Sequence, residues 1–113
     1  MLNKTELYSV LNESAIGLKQ IFGDKLKAVI LFGSYARGDF NRDSDVDIAV
    51  LLDMPRTDFS AYKRSLIQFS SDLDFKYDIL TSFRCIPCDE YERWKHSLPF
   101  YLNIEREGVK IIA

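Results

Sequence analysis

"GSYARGDFNRDSDVDIAVL", residues 33–51, decides how this chain is read. A short polar segment passes two carboxylates, Asp45 and Asp47, and enters an apolar run, VDIAVLL at 46–52. A run of that length, rich in β-branched residues, predicts a strand buried on both faces. Side chains two apart on a strand share a face. Asp45 and Asp47 therefore project together if the strand begins near residue 45, with Val46 and Ile48 facing the core on the other side. Two adjacent like charges raise each other's pKa, and charges beside a buried strand cost free energy unless something binds them. A divalent cation removes that penalty, and Mg2+ commonly takes one or two carboxylates together with phosphate oxygens.

Upstream, KAVILFG at 27–33 reads as a buried strand that delivers the Gly-Ser pair. Gly33 has no Cβ and lets backbone approach a ligand closely. Ser34 offers a hydroxyl and an amide N–H, and SYARG can form one helical turn whose open N–H groups favour an anion. Arg37 adds a forked cation suited to phosphate. Two plainer readings stand beside these. Arg37 can pair with Asp39 or Asp43, and Ser44 can cap or brace the turn before the strand.

Further outward, Leu7, Val10, Leu11, Leu18, Ile21 and Phe22 recur at helical spacing and predict a helix over 3–22, ended by Gly23 and Asp24. After Pro55, Thr57 can cap a second helix. In it Phe59, Tyr62, Leu66, Phe69 and Leu73 recur at steps of three and four, to about residue 73. KYDILTSF at 76–83 predicts a third strand with Asp78 inside it. If that strand lies beside the second, Asp78 completes a carboxylate triad with Asp45 and Asp47. Such a triad can hold two ions about 3.5–4 Å apart, which clamp the attacking and leaving oxygens of a phosphoryl displacement. Residues 88–107 predict helix interrupted near Pro99, with Gly108 as terminator and VKII as a short fourth strand. The sum is an α/β (α+β) fold: a small mixed sheet of three to four strands packed against helices.

The chain has 113 residues, enough for one domain over 1–113, and 47% of them are hydrophobic, which argues for a packed core over disorder. A net charge of −2 argues against a general nucleic-acid binder. No apolar stretch approaches the roughly 20 residues of a membrane span. The first residues lack a signal-peptide pattern, so the expected location is the cytoplasm, with Cys85 and Cys88 reduced.

Gly33-Ser34, ten intervening residues, then Asp45-x-Asp47 resembles the signature of the nucleotidyltransferase superfamily related to DNA polymerase β, and most of all its minimal nucleotidyltransferases. The local Ala-Arg-Gly and Ser-Asp-x-Asp also match. The resemblance implies a polymerase β palm-like fold and ATP bound with Mg2+, two ions being expected. It implies Asp45 and Asp47 as paired metal ligands and Asp78 as the third carboxylate, with Asp74 as its rival. It implies Gly33 and Ser34 gripping the terminal phosphates, and an acceptor hydroxyl attacking the α-phosphorus while pyrophosphate leaves. Chains of this size are similar to the antitoxins paired with HEPN-domain toxins, which transfer AMP to a toxin tyrosine. The implied partner is such a toxin, in a hetero-oligomer, with no membrane or direct nucleic-acid contact.

Two other readings compete. One is a catalytically silent module of the same fold that neutralises a partner by contact. The other rests on CIPC, 85–88, which follows a strand and opens a helix like a thioredoxin-type redox site; too little chain follows it to complete such a sheet. Two Cys and His96 fall short of a four-ligand zinc site. The plain expectation is that the cysteines pack, that His96 lies at a surface or helix end, and that the 62–64 YKR cluster is a solvated helix face. Tyr91, Trp94, Phe100 and Tyr101 are expected to pack the last helices on the sheet, or in part to face a partner.

Overall fold

The two apolar runs form the central strands of a four-stranded sheet in the computed structural model, which describes residues 2–112. Strand β1 (Leu26–Phe32) pairs antiparallel with β2 (Val46–Leu52). Strand β3 (Thr81–Pro87) lies parallel to β2, and β4 (Val109–Ile112) closes the other edge antiparallel to β1. The order is β3-β2-β1-β4, the mixed sheet expected from the sequence.

Both faces of the sheet are covered, which is why its central strands carry so few polar residues. On one face, Val29 and Leu31 of β1 and Val46, Ile48, Val50 and Leu52 of β2 meet Val10, Leu11, Leu18 and Phe22 of α1 (Lys4–Phe22). Helix α3 (Lys63–Tyr77) adds Leu66 and Phe69 to that layer. Gly17 of α1 allows the close approach, because a Cβ there would collide with the Phe69 ring. On the opposite face, Ala28, Ile30, Ala49 and Leu51 meet Tyr91 of α4 (Cys88–Trp94) and Tyr101 and Ile104 of α5 (Pro99–Glu107). Every residue of β2 is buried except Asp47, which points to the α4/α5 side.

The first helix matches its sequence signals. Asn3 caps it, exchanging hydrogen bonds with Glu6 in a capping box. Pro99 sits in the first turn of α5, so the break near it is a new helix start. Three expectations need correction. Thr57 caps nothing, since residues Arg56–Tyr62 form a 3-10 stretch after Pro55 and α3 begins at Lys63. That helix runs past residue 73 to Tyr77, where Lys76 and Tyr77 both hydrogen-bond Glu13 of α1. The third strand accordingly starts at Thr81, and Asp78 lies outside it as the left-handed C-cap of α3, at φ 53°. Short polar side chains tolerate that conformation, so the apolar look of YDIL did not force a strand there. No helix among the described residues is long and apolar enough to cross a membrane.

Candidate functional site

Strand β1 ends at Gly33, whose φ of 74° turns the chain into a single helical turn, α2 (Ser34–Arg37). The amides of Ala36 and Arg37 both donate to the Gly33 carbonyl, and Gly38 closes the turn in the left-handed region. Tyr35 fastens the segment: it is buried, stacks on Phe40 at 4.4 Å, and its hydroxyl accepts from the Leu2 amide. Beyond Phe40, the Asn41 side chain accepts from the Asp43 amide and Ser44 Oγ accepts from the Asn41 amide. Ser44 therefore braces the turn before β2, and it also lines a cleft of about 320 Å³ with Asp45.

Asp47 occupies the recess on the other side of the motif, also about 320 Å³, with Gly33, Ser34, Arg37, Phe100 and Asn103 among its walls. The absence of a Cβ at Gly33 makes room for its carboxylate: a β-carbon there would collide with Oδ2 of Asp47. Burial pushes the Asp47 carboxyl above its ordinary pKa, and the charge of Asp45 adds to the rise. Arg84 and Arg37 offset it in part. Asp45 precedes β2 and lines the neighbouring cleft, so the two carboxylates stand in adjoining clefts. Hard oxygen donors whose charges oppose each other are of the type that suits a divalent cation such as Mg2+.

The third carboxylate is arranged differently from the sequence expectation. Asp78 reaches the cleft of Asp45 from the αL cap of α3, while Asp47 lies in the adjoining recess. Among the described residues no three acidic, His or Cys side chains form a metal-binding group. The β3 residue in register with Asp47 is Ser82, and no acid stands there. Asp74, the rival, is committed to structure, its Oδ1 accepting from both the amide and the hydroxyl of Thr81 at 2.8 Å each.

Arg37 does pair with Asp39, at 3.2 Å, and also with Glu107 of α5, at 3.3 Å. Both acids hold the guanidinium pKa up. The motif arginine thus ties α2 to α5 through exposed ion pairs, which are individually weak. Sequence spacing could not have found Glu107, because the pairing spans 70 residues. Nor could it single out Ser82 and Arg84, which come beside β2 only through the β2–β3 register.

The cysteines do not form a redox pair. Cys85 packs into the α1/α3 layer and Cys88 into the α4/α5 layer, on opposite faces of the sheet. Burial raises the Cys85 thiol to about 11. His96 is exposed in the turn after α4, and Lys63 and Arg64 are exposed on α3. Tyr91 and Tyr101 are buried as expected, whereas Trp94 and Phe100 are partly exposed.

Comparison with known proteins gives the family of the chain. Residues 14–109 match the family model for the nucleotidyltransferase domain. The chain is 42% identical over 78 residues to "Putative protein adenylyltransferase MJ0141" of Methanocaldococcus jannaschii, covering 68% of this chain and 76% of that protein. It is 32% identical over 98 residues to "Putative protein adenylyltransferase MJ0604" of the same organism, covering 87% and 90%. Among solved structures, it is similar to a tri-AMPylated Shewanella oneidensis HEPN toxin in complex with MNT antitoxin, at TM-score 0.52 and 19% identity over 91% of this chain and 69% of that one. It is also similar to a toxin–antitoxin complex with AMP-PNP, at TM-score 0.51 and 21% identity over 96% and 72%. At these identities the structural likeness establishes the fold, that of the minimal nucleotidyltransferases.

Proposed function

The chain belongs to the nucleotidyltransferase-domain family, and from that premise we propose that it transfers AMP from ATP to a tyrosine hydroxyl of a partner HEPN toxin, acting as the antitoxin in the cytoplasm. The observation that carries this reading is the packing of Asp47 against Gly33, with Asp45 beside it in charge, at the junction of β1, α2 and β2. The printed names of the curated relatives support adenylyl transfer to protein. The toxin–antitoxin neighbours, one with AMP-PNP and one with an AMPylated toxin, support the nucleotide and the partner.

In this reading Asp45 and Asp47 are the residues that would hold Mg2+. The chemistry a bound ion would supply there is neutralisation of triphosphate charge and polarisation of the phosphorus under attack. Gly33 and Ser34 present backbone and hydroxyl to the terminal phosphates, and Arg37 adds a cation nearby. The acceptor oxygen bonds to the α-phosphorus, the bond from that phosphorus to the bridging oxygen breaks, and pyrophosphate leaves with the electron pair. Asp78, exposed at the rim of the Asp45 cleft, takes the hydroxyl proton.

A second reading is a silent nucleotide-binding module that neutralises its partner by contact. It draws support from Ser82 standing where β3 could have presented a carboxylate to Asp47. One experiment separates the two. The chain is incubated with its cognate HEPN protein, ATP and Mg2+, and the partner is weighed by mass spectrometry. Gains in multiples of one AMP unit, lost on Asp45→Asn and Asp47→Asn, support the transferase. An unmodified partner that is nonetheless inhibited supports the silent module.

A further inference from the structure

Arg84 has no role in the reading above. It belongs to β3, two residue pairs beyond the Asp47–Ser82 register, opposite Ala49. Its side chain therefore leaves the sheet on the same face as Asp47. The guanidinium sits over the ring of Phe100, 5.0 Å from the centroid. Phe100 in turn meets Phe32 edge-on at 5.5 Å, and both rings line the recess that holds Gly33, Ser34 and Asp47. Arg84 and Arg37 are the two cations whose field reaches Asp47. They differ in one respect. Arg37 is paired with Asp39 and Glu107, whereas among the described residues Arg84 has no ion-pair partner.

We propose that Arg84, held over Phe100 at the edge of the Asp47 recess, binds the β- and γ-phosphates of the nucleotide and stabilises the departing pyrophosphate. This rests on the nucleotidyltransferase reading and adds a residue to that site. A cation resting on an aromatic face keeps all its N–H donors directed outward. A planar guanidinium can then take two phosphate oxygens at once. Because Phe100 carries it, the cation is positioned before the ligand arrives, so little side-chain freedom is lost on binding. The charge it meets grows as pyrophosphate leaves, so the contact strengthens along the reaction.

The test is calorimetric titration of the intact chain with ATP, pyrophosphate and AMP, each with Mg2+, in wild type and Arg84→Gln. The expected result is a loss of at least about tenfold in affinity for ATP and pyrophosphate, with AMP affinity nearly unchanged. Arg84→Lys, which keeps the charge and loses the fork, should fall between the two. A merely structural role would instead lower the melting temperature of the free protein and weaken all three ligands alike, and that result overturns the proposal. So does an Arg84→Gln protein that binds ATP and pyrophosphate as tightly as wild type does. If wild type itself takes up neither, the nucleotidyltransferase reading fails and this inference goes with it.

Discussion

The carboxylate of Asp47 stands where a side chain at Gly33 would otherwise be: a β-carbon on that glycine would collide with Oδ2. The glycine also holds φ at 74°, a region costly for other residues. Gly33→Ala therefore has two effects. It adds about 1–3 kcal/mol of backbone strain, and it moves the carboxylate from its seat. Misplacement of a reacting group by about an ångström can cost around a hundredfold in rate. AMP transfer should fall by at least that much, while the melting temperature drops only moderately. A variant with wild-type transfer would show that Asp47 needs no such seat.

Asp47→Asn should separate stability from activity. The Asp47 carboxyl is raised above its ordinary pKa, first by burial and then by Asp45. A raised acid pKa means that the folded state binds more protons than the unfolded one between the two values. This group therefore lowers stability as pH rises through that window, and the deficit persists at neutral pH. Without metal, Asp47→Asn should melt no lower than wild type, and the difference should shrink on acidification below the unfolded carboxylate range. Mg2+ should raise the melting temperature of wild type more than that of the variant, and transfer should fall about a hundredfold. Equal stabilisation of both proteins by Mg2+ would place the ion elsewhere.

What could be read from the chain, and what could not, divides by interaction range. The runs at 46–52 and 27–33 stand almost free of charge, so their burial on both faces and the projection of Asp47 follow from local pattern. The capping box at Asn3 and Glu6 is likewise local. Residues 74–81 were not legible in this way. Their conformation depends on Lys76 and Tyr77 reaching Glu13 across 63 and 64 residues, and on Asp78 accepting a left-handed backbone. The local pattern alone puts Asp78 in a strand and hence in a carboxylate triad, whereas the tertiary contacts make it a helix cap. The same limit hid Glu107 and Arg84, which meet the motif only through tertiary packing and strand register.

The cysteines give a sharp chemical expectation. Cys85 is held protonated by burial, at about 11, and faces away from Cys88 across the sheet. A thiol attacks as the thiolate, so at neutral pH Cys85 should react with iodoacetamide far more slowly in the folded chain than in the unfolded one. Oxidation should not join the two within one folded molecule. Peptide mapping after mild oxidation checks this, and a native intramolecular 85–88 disulfide would contradict the packing.

Arg56 donates to Glu90 at 2.6 Å and to the Tyr101 hydroxyl at 3.2 Å, linking the segment before α3 to α4 and α5. The Arg56 and Tyr101 hydrogen bonds hold the Glu90 carboxyl below its ordinary pKa. A depressed acid pKa contributes stability above the unfolded value and loses it as pH falls through the folded value. Glu90→Gln should therefore cost stability at neutral pH and little once wild-type Glu90 is itself protonated. Parallel melting curves of both proteins from neutral to strongly acidic pH measure this. Curves that stay equally far apart at every pH would rule out the charge as the cause.

Asp74 and Asp78, four residues apart, should respond in opposite ways. Asp74 Oδ1 takes two hydrogen bonds from Thr81, at the first residue of β3, and Thr81 also meets Ser70 at 2.6 Å. Removing that acceptor leaves half-buried donors unmet, which costs about 1–3 kcal/mol. Asp74→Ala should thus lower the melting temperature and leave the transfer rate of the folded fraction nearly unchanged. Asp78 is exposed, and Asn tolerates its left-handed backbone, so Asp78→Asn should fold as wild type does. If Asp78 takes the acceptor proton, transfer by that variant should fall by about 10²–10⁴. Rates measured on both variants at equal folded concentration decide the matter. Full activity in Asp78→Asn would free position 78 of any chemical role and leave the proton to solvent or to the acceptor protein.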